Sequence, residues 1–297
     1  MTSLTQETVV GADITGDAAM LASVINGADL HCAFARVLYP EIADLSDEEI
    51  KQNHKDKRNA SKSPRFCFQF GGTGYTLAMN MGIPVAKGME IEAAFKELHE
   101  GLYTYGEEKL EEAIKLGYIE STMGFKLQLP NFEEFKTFHQ KLQIFTKSDW
   151  KLYKEGKGEY KAHMAANDKN EPYTIQNHGA YIFYKNNKNL VSKYFRLKSK
   201  YMRLCLNAPT QTTAAHMTKL AACELFEYIE SRGHLDLVKI PNIIHDEFNL
   251  EVIEELGEEY KEKLGYFMRK AGNKLLTSGL VEIQADGNIG KNWYESK

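Results

Sequence analysis

Four side chains spaced four residues apart combine two cations with two aromatic rings: Arg58, Lys62, Phe66 and Phe70. On a helix, residues four apart share one face, so this set (the 58–70 stripe) would present all four side chains together. Cations there could hold a triphosphate, and the rings could contact a sugar or base. The alternative is an amphipathic surface helix with its phenylalanines in the core. Pro64 interrupts the pattern, because proline inside a helix removes a backbone hydrogen bond.

A second group is the tripeptide His245-Asp246-Glu247, which lies between two apolar runs of β character. Carboxylates within an apolar hairpin are costly unless they are paired or used. At a tight turn they would project outward, where their oxygens could bind Mg²⁺. The alternative is an ordinary turn that contains an aspartate.

A third group, Arg203, Asn207 and Gln211, again has a spacing of four and precedes an apolar helix. Such side chains (the 203–211 triad) could donate hydrogen bonds to base edges in a minor groove. Helix capping and surface polarity would explain Asn207 but not all three residues. The basic residues within 193–200 could follow phosphates, although such runs are also common on solvated surfaces.

The elements that position these groups follow from periodicity and capping signals. Residues 1–16 predict an extended segment, and Asp17 and Gly27 predict the two ends of a helix. A further helix is expected to start near Asp29. The remaining predictions are a long amphipathic helix over 89–116, a strand pair over 117–124, a Lys- and Tyr-rich helical insertion after 130, a helix over 201–232, a hairpin over 238–252, a last helix over 254–275 and a final strand over 280–283.

Length and composition indicate a soluble globular protein. The chain has 297 residues, of which 43% are hydrophobic and 26% charged, enough for one large domain or two small ones. Its four cysteines form no CxxC pair, so neither a disulfide framework nor a zinc ribbon is expected, and a reducing cytoplasm is the default compartment. Neither a membrane span nor a signal peptide is indicated. The net charge of −4 does not exclude nucleic acid, because binding depends on a local basic face.

Together and in this order, the three groups resemble the family A DNA polymerases, the bacterial DNA polymerase I family and its phage relatives. The segment Asp29-Leu30-His31, the strand at 117–124 and the ending at 289–293 also resemble this family. The resemblance covers nearly the whole chain apart from about 130–195. It implies an α/β fold of the α+β type in a right-hand polymerase architecture, with mostly helical fingers, part of an antiparallel palm sheet and no thumb. The implied divisions are partial palm 1–29, fingers 30–129, fingers insertion 130–195 and C-terminal palm 196–297.

The resemblance also implies an activity, namely template-directed DNA synthesis with two Mg²⁺ ions. The implied partners are a DNA primer–template and dNTPs, without a membrane, in the cytoplasm (that of the host if a phage encodes the chain). By their match to the family motifs, the implied catalytic residues are Asp246, which also binds metal, Glu247 and His245; the nucleotide-binding residues are Arg58, Lys62, Phe66, Phe70, His31 and Glu7; and the DNA-binding residues are Arg203, Asn207 and Gln211.

The match departs from the family at the first palm motif. Gln6-Glu7 fits the end of that motif, with Glu7 as the gate that selects the sugar, but the metal-binding aspartate falls at Thr2 or before Met1. Phe70 also replaces the usual tyrosine, so no hydroxyl can bond Glu7.

The leading hypothesis is therefore the C-terminal fragment of a split DNA polymerase. It would act as a heterodimer with an upstream fragment that supplies the thumb and the missing aspartate. The alternative is a catalytically inactive, polymerase-like subunit that binds DNA and nucleotides. A single-subunit RNA polymerase is less favoured, because His-Asp-Glu resembles the motif of the DNA enzymes.

Overall fold

The computed structural model describes residues 6–296. Over these residues the α-helices are α1 Gln6–Thr15, α2 Ala18–Asn26, α3 Leu30–Leu38, α4 Asp47–Asn53, α5 Lys55–Gln69, α6 Gly74–Met81, α7 Val85–Leu98, α8 Glu100–Leu116, α9 Phe132–Gln143, α10 Lys147–Asp168, α11 His178–Ser231 and α12 Gly257–Leu275. The strands are β1 Tyr118–Glu120, β2 Lys126–Gln128, β3 Val238–Ile244 and β4 Glu247–Val252. The predicted fold class, mostly helical α+β with antiparallel strands, is confirmed.

The chain divides into two compact units. The first unit contains the described residues up to Ala113, Ile119–Leu127 and the chain from Arg203 onward; the second contains Ile114–Tyr118 and Gln128–Met202. Helix α11 contributes its N-terminal part to the second unit and its C-terminal part to the first. No helix in the described part of the chain combines the length and apolar character needed to cross a membrane.

In the first unit, an aromatic core fixes the position of α5. Phe34 of α3, Phe68 of α5 and Phe95 of α7 are fully or almost fully buried and form one cluster with Leu102 and Leu206. The ring of Phe34 meets those of Phe68 and Phe95 edge-on, with centroids 6.5 and 5.2 Å apart. Edge-to-face contacts of this kind add to the stabilisation from apolar burial. The side of α5 opposite Phe68 is consequently turned away from the core.

The hairpin predicted over 238–252 is confirmed as β3 and β4. The strands are antiparallel, with Ile244 paired to Glu247 and only two residues in the turn. The register shifts between Lys239 and Asn242, so that Ile240 and Pro241 form a bulge. A bulge accommodates proline within a strand, because the position it occupies needs no backbone donor. The hairpin packs through Val238 and Phe248 on a cluster from α11 and α12, whose buried members include Leu225, Ile229 and Tyr260.

The predicted helix caps at Asp17 and Gly27 are confirmed. The Asp17 carboxylate accepts a hydrogen bond from the Met20 backbone, and Gly27 ends α2 with φ +70°. Asp17 also contacts Nδ1 of His99 at 2.9 Å, and both side chains are almost completely buried. The long helix predicted over 89–116 is interrupted at His99, which forms the C-cap of α7 before α8 begins. This interruption lets the His99 ring reach Asp17.

Two sequence predictions at the ends of the chain are wrong. Residues 6–15 form α1 rather than an extended segment, because Val9 and Val10 are buried on one apolar cluster with Met217. The segment after Leu275 contains no strand: Val281 and Ile283 enter the same cluster without a strand partner. The carboxylate of Asp13 fixes this segment, accepting hydrogen bonds from the backbone and hydroxyl groups of Thr277 and Ser278 at 2.6–3.1 Å. Tertiary contacts therefore override the local pattern at both places.

The second unit is a helical assembly with an aromatic interior. Helices α10 and α11 approach closely at Gly156, where an added Cβ would lie 1.9 Å from the backbone oxygen of Ala180. The rings of Tyr153 and Tyr160 lie 5.0 and 5.3 Å from that of Tyr184. These contacts bury one face of α10 and leave the opposite face exposed.

Candidate active site

The two rings of the 58–70 stripe are exposed and stacked. Phe66 is 44% exposed and Phe70 39% exposed, with ring centroids 6.2 Å apart and planes 5° from parallel. The core position on this helix belongs instead to Phe68, which is fully buried. The alternative in which the stripe's phenylalanines fill the core therefore does not describe α5. Two parallel exposed rings form a surface on which a planar group can stack.

Lys62 and His31 lie beside these rings. Lys62 is half-buried one helical turn before Phe66, and the described residues provide it with no ion-pair partner. His31, in the first turn of α3, meets the Phe66 ring edge-on at 5.6 Å. The structure thus brings together Lys62, Phe66, Phe70 and His31 of the predicted nucleotide-binding set.

His31 is neutral at physiological pH. Burial, followed by the nearby charge of Arg65, lowers the pKa of His31 to about 4. Its Nδ1 atom is buried and has no hydrogen-bond partner. A negatively charged group placed beside His31 would counteract both effects and raise its pKa.

Arg58 is held differently from its neighbour Lys62. Its Nε and one terminal nitrogen donate to Oδ2 of Asp29 at 3.0 and 2.7 Å, and the Asp29 side chain is only 3% exposed. Burial alone would raise the pKa of Asp29, but hydrogen bonds from Arg58 and the Cys32 backbone outweigh it and lower that pKa. Arg58 therefore fixes α5 to the N-terminus of α3, and its role toward a triphosphate stays a prediction.

Sequence reasoning missed Arg65. Its side chain is only 4% exposed, lies 5.4 Å from the Phe66 ring centroid, and has a buried Nε without a partner. Burial lowers the pKa of Arg65 to about 10. An arginine three residues after Lys62 on the same helix was the available signal, because residues three apart are helical neighbours.

Pro64 lies inside α5 without ending it. The proline is buried, and the helix continues to Gln69. One turn earlier, the Ser61 hydroxyl bonds the backbone oxygens of Arg58 and His31, both at 2.8 Å. This contact ties α5 to α3 one turn before Pro64, the residue that removes a helical hydrogen bond.

The end of the stripe contacts the 203–211 triad on α11. Nδ2 of Asn207 donates to the backbone oxygen of Phe70 at 3.1 Å. The next residue, Gly71, has φ +76°, and a Cβ there would lie 2.2 Å from Cγ of Arg203. Only glycine fits both this left-handed backbone and this close approach. Arg203 and Gln211 are exposed and Asn207 is half-buried, so two members of the triad are free to face a ligand.

His245 and Asp246 form the tip of the β3–β4 hairpin. His245 adopts φ +55°, a conformation that two-residue hairpin turns require, and both side chains are exposed. The Thr218 hydroxyl of α11 donates to the His245 backbone oxygen at 3.4 Å. Glu247 is half-buried and accepts a hydrogen bond from Nε1 of Trp293 at 2.5 Å. The turn thus presents one exposed carboxylate, that of Asp246.

Glu7 lies in the first turn of α1 and is half-buried. Beside it, Nε2 of Gln6 donates to the Ala214 backbone oxygen of α11 at 3.2 Å. Thr2, where the family aspartate would fall, is outside the described residues.

The described residues do not by themselves fit a two-metal centre. Within 6–296, no cluster of three or more His, Cys, Asp or Glu side chains has the geometry of a metal site. Asp246 is exposed at its turn, whereas Glu247 is engaged by Trp293. A divalent ion at Asp246 would therefore need ligands from outside this set.

A family model for "DNA polymerase family A" matches residues 5–295. With its helical stripe, polar triad and acidic hairpin in the family order, this chain belongs to DNA polymerase family A.

Curated relatives agree with this assignment. DNA polymerase I of Lactococcus lactis subsp. lactis (strain IL1403) is 25% identical over 287 residues, which are 96% of this chain and 24% of the relative. DNA polymerase I of Aquifex aeolicus (strain VF5) is 26% identical over 284 residues, which are 96% of this chain and 37% of the relative. The DNA polymerase of Mycobacterium phage D29 is 27% identical over 138 residues, which are 46% of this chain and 21% of the relative. The chain thus spans about a quarter of the length of the first of these relatives.

A solved structure shares the fold. It is the POL domain of Pol1 from M. smegmatis in complex with DNA primer-template and dNTP. The match covers 99% of this chain and 39% of the M. smegmatis chain, with a TM-score of 0.62. The sequences are 19% identical, so this likeness concerns the fold alone.

Proposed function

We propose that this chain provides the fingers and the rear of the palm of a DNA-directed DNA polymerase that adds dNTPs to a primer 3′ end. The observation that carries the proposal is the junction between the 58–70 stripe and the 203–211 triad. Asn207 bonds the Phe70 backbone, and Gly71 lies against Arg203, so the exposed rings proposed to contact a nucleotide and the side chains proposed to contact a minor groove are adjacent within one unit.

The residues of the stripe have chemistry suited to an incoming dNTP. The Lys62 ammonium would neutralise phosphate charge, which grows toward the leaving pyrophosphate in phosphoryl transfer. The exposed faces of Phe66 and Phe70 would stack on the sugar and base. Arg58 would contribute indirectly by holding α5 through Asp29, unless a bound triphosphate competes for its guanidinium.

The triad would act on the primer–template. Arg203 and Gln211 are exposed donors on one helix face, and minor-groove acceptors are nearly independent of sequence. Contacts of this kind hold a duplex without reading its bases, as template-directed synthesis requires.

Asp246 would supply one of the carboxylates for Mg²⁺. The described residues alone do not complete that centre, so we assign no step of the reaction to the metal. We propose that the enzyme is split, and that a separate upstream fragment supplies the second metal-binding acid and the thumb.

The test is primer extension with the purified chain, alone and mixed with an upstream polymerase segment that ends in the first palm aspartate. We expect no extension by the chain alone and Mg²⁺-dependent extension by the mixture. Robust synthesis by the chain alone would refute the need for a second segment. Tight primer–template binding without synthesis in either sample would favour the alternative of an inactive DNA- and nucleotide-binding subunit.

A further inference from the structure

The second unit has a charge opposite to that of the rest of the chain. Residues 128–202 contain 14 basic and 7 acidic side chains, a net charge of +7. Because the whole chain has a net charge of −4, the remaining residues together carry −11. A domain with such a local excess of lysine is suited to a polyanionic partner.

Five of these lysines form a single line on α10. Their spacing of four, three, three and four residues places them on one face of the helix, and all five are exposed: Lys147, Lys151, Lys154, Lys157 and Lys161. This set, the lysine stripe, extends about 21 Å along the helix at a rise of about 1.5 Å per residue. Among the described residues, one ion pair reaches the stripe, between Lys151 and Glu155 at 3.9 Å.

Three of the four acids of α10 accept hydrogen bonds from groups outside the stripe. Asp149 accepts the hydrogen bonds of the capping box at Thr146, at 2.7 and 2.8 Å. Glu159 accepts from the Tyr173 hydroxyl at 2.9 Å and the Gln176 backbone at 3.1 Å, and Glu155 accepts from Nδ2 of Asn177 at 3.2 Å. Glu155 and Glu159 thus hold the loop between α10 and α11, whereas Asp149 caps the start of α10, and most of the stripe has no acid paired with it.

Exposed helices elsewhere in this chain pair their lysines with acids three residues away. Examples are Lys87 with Glu90, Lys109 with Glu112 and Lys261 with Glu258, at 2.6–3.2 Å. Like charges three and four residues apart destabilise a helix by a few tenths of a kcal/mol for each pair. Solvent exposure alone gives no reason to place five lysines on one helix face. A bound polyanion would offset the repulsion between these lysines.

The fold holds the stripe on a rigid face. The opposite side of α10 is fixed by the close approach of Gly156 to Ala180 and by the contacts of Tyr153 and Tyr160 with Tyr184. The lysines are therefore presented in a fixed line rather than on a flexible tail.

We propose that the lysine stripe binds the phosphodiester backbone of DNA, at a surface additional to the 203–211 triad. Lysine acts as a mobile point charge without base-reading geometry, so the contact is independent of sequence. The inference deepens the proposed polymerase function and rests on it for the choice of DNA as the polyanion.

The test compares two triple variants of the full chain that remove equal charge from the same unit. One is Lys151→Gln/Lys154→Gln/Lys157→Gln, and the matched control, on helices other than α10, is Lys136→Gln/Lys141→Gln/Lys185→Gln. Binding to a labelled 20-mer, single-stranded and duplex, is measured by fluorescence anisotropy from 50 to 200 mM NaCl. Thermal melts monitored by circular dichroism check that both variants fold, since glutamine is a good helix former.

We expect the stripe variant to lose affinity by about tenfold or more at low salt. Its slope of log K against log salt should fall by about 2–3, at about 0.7–0.9 for each lost phosphate contact. The control should change Kd by less than about twofold, and the arm with the larger loss identifies the strand form that is bound. Equal losses in the two variants, or an unchanged slope in the stripe variant, would refute the proposal. This experiment measures DNA binding and needs no synthesis. A chain that fails to extend primers can therefore still confirm or refute the role of the lysine stripe.

Discussion

At the residue scale, His31 reports most directly on the candidate nucleotide site. Burial and the charge of Arg65 lower its pKa to about 4 from 6.5. Between these two pH values the unfolded chain binds more protons than the folded chain at this residue. The free energy of unfolding should therefore decrease as the pH falls from about 6.5 toward about 4.

We expect an NMR titration of the folded chain to give a pKa of about 4 for His31, assigned by loss of its signal in His31→Gln. The same variant should lose part of the pH dependence of urea unfolding between pH 7 and pH 5. A His31 pKa near 6.5 in the folded chain would contradict the buried environment described here.

Lys62 and Gln211 should have separable effects in the proposed enzyme, assembled with the proposed upstream segment. Lys62→Ala removes a cation from beside Phe66, so it should raise KM for dNTP and lower kcat, because phosphate charge grows in the transition state. Gln211→Ala removes a neutral donor from α11, so it should mainly weaken primer–template binding. Steady-state kinetics with dNTP and primer varied separately test this. The same profile for both variants, or unchanged dNTP kinetics in Lys62→Ala, would argue against the assignment.

Residue types and spacing were sufficient to predict the exposed part of this site. The four-residue spacing predicts that Lys62, Phe66 and Phe70 share a face, and the structure places them so. The spacing does not predict that Arg58 pairs with Asp29, because that contact joins residues 29 positions apart. Nor does it show that Arg65 is buried, since burial depends on which side of α5 meets the core.

At the element scale, the connection between α5 and α11 depends on Gly71. Gly71→Ala would place a methyl group against Arg203 in a left-handed backbone, whereas Gly82 has φ +64° and nothing within 4 Å of an added Cβ. Gly82→Ala should therefore cost only the backbone penalty, about 1–2 kcal/mol. Gly71→Ala should cost a further ~1–3 kcal/mol from the clash and should also weaken primer–template binding through Arg203.

Urea unfolding of both glycine variants measures the stability difference, and anisotropy with labelled primer–template measures the binding. Equal losses of stability in the two variants would mean that the contact between Gly71 and Arg203 has no energetic consequence.

Elements with strong local signals were predictable, and those defined by tertiary contact were not. The β3–β4 hairpin is recognisable from two apolar runs around a polar turn, and α2 from its two caps. Helix α1 and the segment after Leu275 were mispredicted because both depend on one shared apolar cluster and on Asp13, which bonds residues 264 and 265 positions away. No window of the sequence contains those partners.

At the scale of the whole molecule, we propose that Asp246 belongs to the catalytic centre of a DNA polymerase. The most direct measurement is primer extension by the reconstituted enzyme carrying Asp246→Ala. Its control is Asp236→Ala, which removes a fully exposed acid that lies before β3 rather than in the hairpin turn. Primer–template binding is measured on the same samples by anisotropy.

We expect Asp246→Ala to lower the extension rate by about a thousandfold or more, since a lost metal-binding carboxylate costs several kcal/mol of transition-state stabilisation. Primer–template Kd should stay within about twofold, because we propose that the DNA is held by phosphate contacts and the 203–211 triad and not by Asp246. Asp236→Ala should leave both quantities unchanged. Extension by Asp246→Ala at a rate comparable to that of the unmodified enzyme would contradict the assignment of Asp246 to the catalytic centre.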